Sequence, residues 1–136
     1  MKPVLLDTGV IVALLDRGER FHAKCVEAVA GLERPLATCE AVIAESCYLL
    51  RNVTGAADAV LANVETGAFQ IPLVLAQSAG PVRRLMRRYR DVPIDFADAC
   101  LVHLAEVLGT GEILTLDRDF VIYRWGRNRT FSLAPG

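Results

Sequence analysis

Three aspartates stand where a folding argument alone would not choose an acid. Asp7 directly follows the apolar run Pro3-Val4-Leu5-Leu6, and Asp117 follows Ile113-Leu114-Thr115-Leu116. Asp98 falls in the first turn of an apolar helical segment. Glu45 lies among Val42, Ile43, Cys47 and Leu49 on another helical stretch. Carboxylates gathered together repel and raise one another's pKa unless cations neutralise them. A donor set of hard oxygens, with no His or Cys at ligand spacing, suits Mg2+ or Mn2+ rather than zinc. Such a cluster holds one or two divalent ions, acidifies a bound water and stabilises charge on a phosphate. That is the chemistry of phosphodiester hydrolysis.

Each acid taken singly has a plainer explanation. Asp7 would serve as a helix cap, Asp98 as a complement to the helix dipole and Asp117 as a turn residue. Their joint occurrence at strand and helix ends favours the site over those roles. Glu45 rests on its apolar neighbours alone, because an acid on an exposed helix face is commonplace.

The elements that must position these acids alternate short β-like runs with longer amphipathic segments. That is the pattern of an α/β domain with a mostly parallel sheet. Pro3–Leu6 reads as a buried central strand. Val10–Asp16 and Phe21–Leu32 read as two helices broken near Gly18. Pro35–Thr38 is a second strand, with Thr38 capping a helix to about Asn52, and another helix spans Gly55–Glu65. Phe69–Leu73 is a strand that Pro72 confines to the sheet edge. A helix opening near Ser78 runs to Tyr89. Asp95 caps a helix to Leu108, which Gly109 ends. Glu112–Leu116 is a third buried strand, and a last β segment lies near Thr130–Leu133. In an open parallel sheet, ligands bind at the carboxyl ends of strands, where Asp7 and Asp117 emerge.

The 136 residues fit a single domain over 1–136. Hydrophobic residues at 53% against 23% charged ones supply a core and exclude disorder. A net charge of -1 excludes a uniformly basic nucleic-acid binder. The halves differ, however: six Lys/Arg face nine Asp/Glu in residues 1–68, and nine face seven in residues 69–136. Cys25, Cys39, Cys47 and Cys100 occur singly, and no signal peptide or membrane-length apolar run is seen. Free buried thiols in a soluble cytoplasmic protein are the expectation.

Arg83, Arg84, Arg87, Arg88 and Arg90 occupy one helical stretch without an intervening acid. Like charges at i, i+4 are locally unfavourable, and a polyanion such as RNA would relieve them. A solvated helix face explains them equally well. Arg118, Arg124, Arg127 and Arg129 near Trp125 would extend the same surface, and Trp125 would equally cover a sheet edge. His22 and His103 stand far apart and no Cys/His ligand spacing occurs, which argues against a zinc site, and His103 reads as a core or helix-face residue. No serine nucleophile motif, dinucleotide fingerprint or phosphate-binding loop is present.

Leu5-Leu6-Asp7-Thr8-Gly9, Val42-Ile43-Ala44-Glu45, Asp95-Phe96-Ala97-Asp98-Ala99-Cys100-Leu101 and Leu114-Thr115-Leu116-Asp117-Arg118-Asp119-Phe120 occur in that order. In these motifs and their spacing the chain resembles the PIN domain family, and within it the VapC-like ribonuclease toxins. The resemblance implies a three-layer α/β/α sandwich with a mostly parallel central sheet. It implies Mg2+ or Mn2+ held by Asp7, Glu45, Asp98 and Asp117, with Thr8 and Thr115 positioning water or a ligand carboxylate. Family members place the fourth acid at either Asp117 or Asp119, and Asp117 is nearer the strand end. The resemblance also implies a structured RNA substrate, a VapB-like antitoxin that inserts a basic residue among the acids, and a homodimer. A processing nuclease without an antitoxin and a non-catalytic RNA- or protein-binding module remain as alternatives. Phosphorylation of Asp7 itself fits poorly, since Gly9 stands where a second acid is wanted and no lysine follows Lys24.

Overall fold

The computed structural model describes residues 1–136. Its first strand, β1 (Val4–Leu6), is wholly buried, as an uninterrupted apolar run between two layers must be. Helix α1 (Thr8–Leu15) follows at once, because Asp7 serves as its N-cap and accepts the Thr8 backbone N–H. Helix α2 (His22–Ala30) leads to β2 (Leu36–Ala37), then α3 (Glu40–Leu49) and α4 (Ala56–Glu65) to β3 (Phe69–Gln70). Helices α5 (Leu75–Arg88) and α6 (Phe96–Leu108) precede β4 (Glu112–Leu114). A 3-10 turn over Arg118–Val121, a small antiparallel hairpin of β5 (Arg124–Trp125) and β6 (Arg129–Thr130), and β7 (Ser132–Ala134) complete the chain.

The main sheet has the order β3-β2-β1-β4-β7 and is parallel throughout. From β1 the chain steps outward twice to β3, then returns across β1 to β4. Right-handed crossovers therefore put α1–α4 on one face and α5–α6 on the other. Within the layers α1 packs on α2 and α3, α3 on α4, and α5 on α6, while α3 also meets α6 of the opposite layer. The result is the expected α/β/α sandwich. Its switch in winding direction lies between β1 and β4, where Leu5 pairs with Ile113 and Leu6 with Leu114. A parallel sheet opens a crevice at that point, beyond the carboxyl ends of both strands.

β3 lies on the edge of the sheet as expected, but it ends at Gln70, short of the expected Leu73, so Pro72 lies beyond the strand. Two further local expectations need correcting. Thr38 does not cap α3, because its hydroxyl donates to the Leu6 carbonyl at 2.7 Å and ties β2 to β1. Cys39 occupies the N-cap with no side-chain bond. Helix α5 starts at Leu75, ahead of Ser78. The β5–β6 hairpin went unforeseen, because two-residue strands carry no readable alternation. Trp125 of β5 lies against Gly111, where any Cβ would collide with the indole. Cys25, Cys39, Cys47 and Cys100 are free, all but Cys47 buried. No helix is long and apolar enough to cross a membrane.

Candidate active site

Backbone geometry delivers three of the acids to the crevice. The Asp7 amide donates to the Leu114 carbonyl at 3.0 Å, extending the β1–β4 ladder by one residue and fixing Asp7 beside β4. Asp98 arrives from the other layer through the start of α6. There Asp95 is the N-cap and accepts the Asp98 amide at 2.8 Å, while the Asp98 carboxylate accepts the Asp95 amide at 3.4 Å. This reciprocal pair is a capping box. It fixes the first turn and turns Asp98 toward the sheet. Asp117 follows β4 and caps the 3-10 turn, accepting the Asp119 amide at 2.9 Å.

One ligand oxygen from each of Asp7, Asp98 and Asp117 lies within 4.8 Å of the others. Asp7 and Asp98 are buried and Asp117 half-buried. Residues 7, 98 and 117 thus meet although more than ninety positions separate the first two in the chain. Glu45 stays outside this group, exposed on α3, yet its charge reaches Asp7 and adds to the upward shift there. Asp119 is also outside it, half-buried beyond Asp117.

Thr115 is the hinge of the cluster. Its hydroxyl donates to Asp7 Oδ2 at 2.7 Å and accepts the Asp117 amide at 2.9 Å, so one side chain orients two acids. Burial nevertheless raises the Asp7 pKa to about 6, with Asp117 and Glu45 adding to the push. The Thr115 and Thr8 hydrogen bonds oppose that rise and do not cancel it. Asp98 rises further, to about 8, through burial and then the charges of Asp95, Asp7 and Asp117. A set of carboxylates this reluctant to ionise is one that lacks a counter-charge.

Tyr123 is a member that sequence reasoning missed. It is fully buried, packs edge-on against Tyr89 and Phe120, and points its hydroxyl at Asp98 Oδ2, 3.4 Å away. Burial and the nearby Asp98, Asp119 and Asp117 carboxylates push its pKa upward, so it remains a donor. Six residues after Asp117, in an irregular stretch, it carried no periodic signal.

The donor chemistry fits a hard divalent cation. All the converging atoms are carboxylate oxygens, burial and neighbouring carboxylates raise the pKa of Asp7 and Asp98, and the buried Thr8 hydroxyl beside Asp7 has no hydrogen-bond partner.

A model of the PIN domain matches residues 4–125, nearly all of this α/β core and every residue of the cluster. The chain belongs to the PIN domain family. Among curated PIN relatives, it is 33% identical over 117 residues to "Ribonuclease VapC26" of Mycobacterium tuberculosis (strain ATCC 25618 / H37Rv), covering 85% of this chain and 87% of that protein. The crystal structure of Mycobacterium tuberculosis VapC20, described as a Sarcin-Ricin loop cleaving toxin, superposes with a TM-score of 0.78. It shares 21% identity and covers 85% of this chain and 91% of that one, a likeness of PIN fold.

Proposed function

We propose that the chain is a metal-dependent endoribonuclease, the toxin of a toxin–antitoxin pair with a VapB-like protein as antitoxin. The convergence of Asp7, Asp98 and Asp117 carries this reading. These three would hold Mg2+ or Mn2+, and Glu45, near enough for its charge to reach Asp7, would hold a second ion or orient the attacking water. A bound ion would supply the missing counter-charge, stabilise charge on the scissile phosphate and lower the pKa of the attacking water. The chain's own contribution is orientation. Thr115 fixes Asp7, the Asp95 amide and the Tyr123 hydroxyl fix Asp98, and Thr8 offers a hydroxyl to water or to a ligand.

The name of VapC26 supports ribonuclease action, and the description of VapC20 supports a structured RNA as target. The arginines of α5 support it physically. Arg83, Arg84, Arg87, Arg88 and Arg90 are exposed, and the only ion pair in the molecule is Arg34–Glu112. Their charges are therefore free for a polyanion. Arg124 is differently engaged. Its guanidinium donates to the Val121, Ile122 and Tyr123 carbonyls and closes the 3-10 turn.

The test is cleavage of end-labelled structured RNA. With Mg2+ or Mn2+ the chain is expected to cut and leave 5′-phosphate and 3′-hydroxyl ends, and with EDTA to cut nothing. Cleavage that EDTA leaves undiminished overturns the metal assignment. The fourth acid is separable in the same assay. Asp117→Asn is expected to lower kcat/KM by at least about 100-fold, close to 3 kcal/mol of transition-state stabilisation. Asp119→Asn, outside the cluster, is expected to stay within about tenfold. The reverse ranking would hand the role to Asp119.

A further inference from the structure

Beside the carboxylates, at the ends of β4 and β7, lies a pocket of about 450 Å³. That is within the range of roughly 300–1,000 Å³ typical of small-molecule sites. Its apolar wall is Phe21, Val121 and Phe131, and Lys24 and Arg118 supply its cations. Thr115 belongs to both places: it lines the pocket and its hydroxyl holds Asp7 at 2.7 Å. We propose that this pocket seats one nucleobase of the RNA strand adjacent to the scissile phosphate, and so sets the base preferred at that position. The proposal rests on the ribonuclease reading and adds a specificity subsite to it.

The wall and the cations are arranged for such an occupant. Phe21 is 37% exposed and Val121 is 51% exposed, so folding leaves apolar surface uncovered on the pocket side of the crevice. Lys24 and Arg118 are exposed and neither pairs with an acid, although Asp117 and Asp119 flank Arg118 in sequence. A nucleotide satisfies both features at once. Its base offers a flat apolar face to a ring and an aliphatic wall, and its phosphate offers an anion to the two cations. Continuity through Thr115 gives the register. A strand whose phosphate lies over the three aspartates has its neighbouring nucleotide within reach of this pocket.

Two variants and two measurements test this. Val121→Trp fills the pocket and Phe21→Ala removes its ring, and neither residue belongs to the carboxylate cluster. The first measurement needs no catalysis: backbone amide shifts are followed while AMP, GMP, CMP and UMP are titrated into the metal-free protein. Shifts are expected to concentrate in residues 21–24, 118–121 and 131–135, to differ among the four bases, and to vanish in Val121→Trp. The second maps cleavage ends on an RNA pool randomised around the cut. Wild type is expected to prefer one base at one flanking position, and Phe21→Ala to weaken that preference roughly tenfold, the worth of one stacked base. Nucleotide shifts confined to other surfaces, or an unchanged base preference in Val121→Trp, overturn the proposal while leaving the ribonuclease reading intact. Nucleotide shifts in the pocket without any RNA cleavage keep the site and sink the ribonuclease reading. A Val121→Trp protein that cuts with wild-type preference but escapes inhibition by a protein partner gives the pocket to that partner instead.

Discussion

Asp7→Asn is expected to lower RNA cleavage by about 1000-fold or more, some 4 kcal/mol of transition-state stabilisation, while the chain stays folded. The loss follows from the place of Asp7 in the cluster: an amide there removes a full negative charge from the set that would hold the ion. The fold survives because asparagine keeps one carbonyl oxygen to accept the Thr8 amide and so retains the α1 cap. Its NH2 group then faces Thr115, whose hydroxyl can rotate to accept in place of donating. Removing a buried charge also relieves repulsion on Asp98 and Asp117. In EDTA at neutral pH the variant is therefore expected to melt at or above the wild-type midpoint. Far-ultraviolet circular dichroism, a thermal melt and kcat/KM on one labelled RNA check the three statements together. A folded variant cutting within about tenfold of wild type would remove Asp7 from the machinery.

The parts of this architecture that were legible in the amino-acid order are those with a strong local cause. β1 and β4 are apolar runs with an acid just past each end, and a parallel sheet aligns those ends whichever strands lie outside them. Asp95 as the cap of α6 and Asp98 in its first turn follow from their place ahead of an apolar helix, whereas their reciprocal capping box is seen only in the folded chain. Other features depended on contacts that only the folded chain creates. Thr38 has a good capping side chain, yet the Leu6 carbonyl on the neighbouring strand outcompetes the helix for its hydroxyl. Tyr123 joins the site through a thirty-residue reach to the Pro93 carbonyl and packing on Tyr89. Glu45 and Asp119 share the motif pattern but stand outside the group of converging oxygens, because motif spacing fixes a backbone position and leaves side-chain reach open. The arginines divide the same way: those of α5 stay free, whereas Arg124 is consumed by local carbonyls.

Without metal, the stability of the protein is expected to fall as pH rises from about 5 to 8, which is the second large effect. Asp7 holds its proton to about 6 and Asp98 to about 8, against an ordinary value of 3.8. Between those values the folded chain keeps protons that the unfolded chain has released. Since the native state then binds more protons, the slope of unfolding free energy with pH is negative. The stability is fully present below the ordinary carboxylate range and is lost as pH climbs through the two raised values. Each retained proton is worth about 1.4 kcal/mol per pH unit. Allowing for water at the mouth of the crevice, the loss amounts to about 3 kcal/mol, or roughly 10 °C in melting midpoint for a chain of this size. Mn2+ should reverse it, because an ion that binds only the folded carboxylates adds about 2.7 kcal/mol at a hundredfold excess over its Kd. It should also release protons as it binds. Asp98→Asn separates cause from coincidence. The amide oxygen still accepts the Asp95 N–H, so the capping box is kept, but the group with the largest upward shift no longer titrates. Its metal-free melting curve should be flatter between pH 6 and 8, and its gain from Mn2+ smaller. A wild-type midpoint that stays level or climbs across this range in EDTA would mean that Asp7 and Asp98 ionise freely. The crevice would then have no unmet demand for a cation.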